Sequence, residues 1–103
     1  MHTWTVTCDP AHAADASGTA ATELDAVTAG AAALRRLVRA THRLGDPSPF
    51  VTLVIDARPR IGLSAGPGSV TDALERIDRY EYDATVAAAV NDSTLARLHL
   101  EAR

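Results

Sequence analysis

The segment FVTLVID, residues 50–56, constrains this chain more than any other stretch. Its apolar residues occupy both alternating phases, so both faces of the strand it forms are covered, as in the middle of a sheet. Arg58-Pro59 reads as a turn, after which Ile61, Leu63 and Ala65 alternate as the second arm of a hairpin. The rest of the chain has to be arranged around that sheet.

Upstream, Trp4, Val6 and Cys8 point one way and Thr3, Thr5 and Thr7 the other, which predicts a half-buried strand over residues 3–8 ending at Asp9-Pro10. Residues 11–19 are small and polar and read as a loop. Thr22 followed by Asp25 resembles a capping box, and a helix is expected from about Glu23 to Leu44. Its apolar stripe carries Leu24, Val27, Ala31, Leu34 and Val38, with Gly45 as C-terminal cap and Pro47 blocking continuation.

Gly66-Pro67-Gly68 stops the hairpin strand, and Ser69 with Asp72 marks a second helix start. Val70, Ala73, Leu74 and Ile77 give that helix an apolar face. Residues 82–90 fit either a helix or an alternating strand, and alanine favours the helix. Asn91-Asp92-Ser93 reads as a turn, and Leu95 to Glu101 alternates as a last strand.

The expected fold is therefore α+β: one domain over residues 1–103, a ferredoxin-like βαββαβ sandwich with an antiparallel sheet and two helices on one face. The alternative is an α+β fold in which a C-terminal hairpin replaces part of the second helix.

Composition narrows the function classes. A net charge of -3 and a pI near 5.7 do not suit a general nucleic-acid binder, which gains affinity by neutralising phosphates. All ten basic residues are arginine, and 21 of the 103 residues are alanine, a bias typical of a GC-rich bacterial genome. A core this poor in aromatics buries little area per residue, so oligomerisation would add to its stability. The lone Cys8 excludes a disulfide framework and suits a reducing compartment, and no apolar run is long enough to span a membrane. A cytoplasmic protein with no membrane association is expected.

Candidate sites are few. Arg35, Arg36, Arg39 and Arg43 form a basic stripe on the first helix that can dock an acidic protein or simply solvate that side. Gly66, Gly68 and Ser69 can hold an anion on backbone N–H groups, although the Walker lysine and the dinucleotide spacing are absent. On the open sheet face, Thr5, Arg97 and His99 make the one convergent polar group. Asp56, Arg58 and Arg60 close the central hairpin as a second anion-gripping candidate. His2, His12, His42 and His99 show no metal-ligand spacing, Cys8 reads as a buried apolar thiol, and no catalytic residue, metal or cofactor is indicated.

The first half of the chain, a strand and helix followed by FVTLVIDARPRIGLSAGPGSV, resembles small actinobacterial immunity-type proteins. That resemblance implies partner binding and assigns no residue a role. The expected function is a non-enzymatic protein-interaction or oligomerisation module, immunity- or regulator-like, acting as a homodimer or on another protein, with nucleic acid excluded. The alternative is a small-ligand-binding or catalytic domain that uses the open sheet face as a pocket.

Overall fold

A computed structural model describes residues 1–9, 15–45 and 49–101, with 92–101 described by backbone alone. The elements are β1 (His2–Asp9), β2 (Ala16–Ala20), α1 (Glu23–Leu44), β3 (Phe50–Ile55), β4 (Arg58–Ser64) and α2 (Val70–Glu101). The strands form one antiparallel sheet in the order β2-β1-β3-β4. As its two-sided apolar pattern requires, β3 lies inside the sheet.

The register explains the core. Trp4, Val6 and Cys8 stand opposite Ile55, Leu53 and Val51, so the inward phases of β1 and β3 coincide. Val6, Val51, Leu53 and Ile55 are fully buried there under Leu34 and Leu37 of α1. Gly30 makes this close packing possible. A methyl group at that position would come within 2.5 Å of Leu53 Cδ1, so any Cβ here would force the Leu53 side chain to move or the helix to rise from the sheet.

The ends of α1 follow the expected chemistry. The Asp25 N–H donates to Thr22 Oγ1 at 3.0 Å, and Gly45 closes the helix with φ 73°. Pro10, His12 and Pro47 lie outside the described residues.

The α+β class holds, with a four-stranded antiparallel sheet and two helices. The elements run ββαββα, whereas the ferredoxin-like reading takes them as βαββαβ. Two segments account for the difference. Ala16–Ala20, expected within a loop, pairs with β1 as an edge strand. Its sequence ASGTA has little β-propensity, and the pairing comes from context: Gly18 lies beneath the Trp4 indole, where a Cβ would come within 2.7 Å of the ring.

At the other end, the expected strand 95–101 is helical, as is 82–90, so the C-terminal hairpin of the alternative is absent. Asn91-Asp92-Ser93 does not break α2. These residues lower helix propensity only by tenths of a kcal/mol, and no Gly or Pro occurs between 70 and 101.

The hairpin turn also shifts. Asp56 and Ala57, with φ 53° and 63°, occupy the central positions that a type I′ turn requires at positive φ. Arg58-Pro59 therefore opens β4 instead of making the turn. Pro59 is tolerated because β4 is an edge strand, and a bulge follows: Val54 pairs with Pro59 while Leu53 pairs with Ile61. The bulge leaves Arg60 as the extra residue.

Candidate functional site

The helices α1 and α2 run antiparallel across one face of the sheet. Arg35 on α1 clamps α2 near its middle, with Nε donating to Asp78 Oδ1 at 2.9 Å and Nη1 and Nη2 donating to Glu81 at 3.3 Å. Burial works against the charge of this guanidinium, but the hydrogen bonds and charges of Glu81 and Asp78 outweigh it and raise its pKa. Further along, the start of α1 faces the second half of α2, and there the helices leave a groove of about 400 Å³.

Leu24 and Val27 line one wall of this groove and Ala84, Ala87 and Ala88 the other. The alanines explain why it is open, since their methyl groups cannot reach across the gap that longer side chains would close. Its rim is polar. The bulged Arg60 reaches Glu23, donating from Nη1 to Oε1 at 2.8 Å, with Tyr80, Asp83 and Asn91 nearby. Burial pushes the Tyr80 phenol pKa up, partly offset by the Arg60 charge. A bulge that turns a side chain toward the helices is what brings Arg60 here, and neither propensity nor periodicity marks such a bulge in the sequence.

Past Tyr80, α2 flanks the groove, with Ala84 and Ala88 half-buried. Ala84 to Val90 reads ATVAAAV, apolar around nearly the whole circumference of the helix. Yet Tyr82, Val86 and Val90 are 68%, 43% and 56% exposed. A helix apolar all round is ordinarily a buried one.

The structure separates most of the residues singled out in the sequence. Arg35 is tied to α2, whereas Arg36, Arg39 and Arg43 remain exposed on α1. Thr5 lies on the open sheet face between Ser17 and Val54, beside a depression of about 270 Å³ that Thr7 and Asp15 also line. Arg97 and His99 belong to α2 and not to the sheet, so they do not join Thr5; their side chains lie outside the description. Ser69 starts α2, its N–H donating to Gly66 O at 2.8 Å and its carbonyl accepting from Ala73 at 2.8 Å, while Gly68 faces open space.

The hairpin cluster also divides. Asp56 takes His2 Nδ1 at 2.7 Å and the Thr3 N–H at 3.0 Å, Arg58 is exposed, and Arg60 belongs to the groove. The His2 and Thr3 hydrogen bonds hold the Asp56 carboxyl below its usual pKa. Cys8 is buried in the sheet core and His42 is exposed near the end of α1.

Among the described residues no group of His, Cys, Asp and Glu is placed to hold a metal ion, and no helix is long and apolar enough to cross a membrane. The sequence signal that could have found the groove is the alanine run 87–89 at the end of an apolar stripe, which reads equally well as ordinary helix filler. Compared with protein-family models, curated proteins and solved structures, the chain matches none.

Proposed function

We propose that this chain is a non-enzymatic protein-interaction module that docks its partner along the second half of α2. The observation that carries the reading is the segment Ala84–Val90, which is apolar on all sides yet largely uncovered, beside an open groove walled by Leu24 and Val27. Covering such a surface releases water from apolar area, the main driving force of association. The polar rim of Glu23, Arg60 and Asp83 supplies orientation at the edge of the contact. Such a surface suits a small regulator or immunity-type protein that works by occupying its target, and the partner proposed is a protein, neither nucleic acid nor membrane.

A photo-crosslinking residue at Val90, which is exposed, tests this in the source cell. Discrete protein adducts are expected from position 90 and not from the exposed Arg39 on α1. An absence of position-specific adducts would overturn the reading. The alternative, a small ligand on the open sheet face, has the depression beside Thr5, Thr7 and Ser17 in its favour. It predicts that substitutions there, and not along α2, abolish function.

A further inference from the structure

Resting on that reading, we infer that the docked partner lodges a lysine side chain in the groove between the start of α1 and α2, with its ammonium beside Asp83. The argument begins with charge. The charged side chains that line the groove are Glu23, Arg60 and Asp83. Arg60 and Glu23 already satisfy each other, Nη1 to Oε1 at 2.8 Å. Arg60 Nε has no hydrogen-bond partner, but it is covered on all sides and out of an occupant's reach. Asp83 is exposed and, among the described residues, makes no hydrogen bond or ion pair. The groove therefore offers one unmatched charge, and it is negative. An occupant that covers Asp83 has to bring a cation or leave a desolvated carboxylate unpaired, which is costly.

The walls decide which cation. Leu24, Ala87 and Ala88 give the groove aliphatic lining without a polar side-chain atom. A lysine lays its methylene stem on such a surface while its ammonium stays at the rim. Tyr80, Asp83, Ala87 and Asn91 follow one another at steps of three and four, so they share one side of α2. The Tyr80 and Asn91 oxygens thus flank Asp83 as single acceptors on separate residues. A compact ammonium with three rotatable donors suits that arrangement, whereas a planar guanidinium is matched best by one carboxylate taken with both oxygens. The volume of about 400 Å³ lies in the range that holds small organic groups.

The rest of the contact is apolar. Tyr82, Val86 and Val90 are exposed and spaced four residues apart, so they form a strip along α2 beside the groove. The partner surface is then an apolar patch with a lysine at its edge, the usual division between the centre and the rim of an interface. The lysine has to come from a different protein, because all ten basic residues of this chain are arginine.

Two measurements test the inference. In the first, the full chain is titrated by NMR with n-pentylammonium, which is a lysine side chain without its backbone, and with n-pentanol and pentanoate as matched probes. The ammonium should bind with a Kd of roughly 1–20 mM, as so small a molecule allows. The alcohol and the carboxylate should bind at least about threefold more weakly. Asp83→Asn, on an exposed position, should erase the preference for ammonium and keep the binding of pentanol, a result that misfolding cannot mimic. Pentanoate binding as well as the ammonium, or no response of the groove to pentylammonium up to about 100 mM, would overturn the inference. In the second, a carbodiimide couples carboxylates to amines in contact, within the complex captured from position 90. Asp83 or Glu23 should be joined to a partner lysine. Coupling at neither residue, with the partner still captured from position 90, would overturn the inference and leave the interaction reading standing. No adducts at all from position 90 would remove both.

Discussion

Asp56 and Ala57 show how much a two-residue turn asks of its side chains. Both sit at positive φ, where an L-residue with a Cβ is strained. Asp56 offsets this through local hydrogen bonds: its carboxylate accepts from His2 and from the Thr3 N–H, while its own N–H donates to the Thr3 carbonyl at 2.9 Å. The Ala57 methyl has no polar atom with which to offset it, so Ala57→Gly should stabilise the protein by up to about 1 kcal/mol. A fall in melting temperature would show that this turn is not strained.

Asp56 also carries a pH signature. Its folded-state pKa lies below the usual 3.8, so the native state favours the ionised form. The stability this brings is complete above the unfolded value and is lost as pH falls through 3.8 and then through the lower folded value. Asp56→Asn keeps an acceptor for Thr3 and removes the charge. Thermal melts should therefore show a deficit relative to the parent at pH 7 that closes in acid. A deficit that stays constant down to about pH 2 would contradict the assignment.

At the scale of elements, what the sequence made legible follows from where local and tertiary forces agree. The strand FVTLVI, the capped helix α1 and the inward phase of β1 each combine suitable propensity with a burial pattern of the matching period, and each forms as expected. β2 was not legible, because ASGTA gains its strand conformation from pairing with β1 and from the Trp4 ring above Gly18. The end of α2 reads as a strand for a different reason. Ala96, Leu98 and Leu100 alternate with Arg97, His99 and Glu101 at a period of two, while Leu95 and Leu98 also fit helical spacing, and only continuity with the preceding helix decides between them.

Of the candidate site, the arginines were visible but their division was not. Arg35 alone reaches α2, because α2 lies to that side of α1. Arg35→Gln should thus cost about 1 kcal/mol or somewhat more, as a partly buried forked ion pair does. Arg39→Gln, on an exposed position, should stay within about 0.5 kcal/mol. Equal effects in denaturant titrations would mean that the Arg35 clamp does not hold the helices together.

Across the whole molecule, the shape follows from a mismatch between α2 and everything it packs on. A helix of 32 residues is about 48 Å long, while α1, its main support, has 22 residues and spans about 33 Å. The chain is accordingly elongated, 59 Å by 25 Å by 16 Å. Here α2 keeps Ala84 half-buried against the core while Tyr82, Val86 and Val90 stay exposed, and apolar area left uncovered favours association. On the proposed reading a docked protein covers this face, and order in α2 is coupled to its binding.

Amide hydrogen exchange along α2, in the chain alone and in the chain captured with its crosslinked partner, tests that coupling most directly. In the chain alone the amides of residues 84–91 should exchange faster than those of residues 70–81, which the body protects. In the captured complex the same amides should become protected by at least about tenfold, with the open sheet face unchanged. Amides of residues 84–91 equally exposed in both states, or protection that rises on the open sheet face instead, would contradict the account.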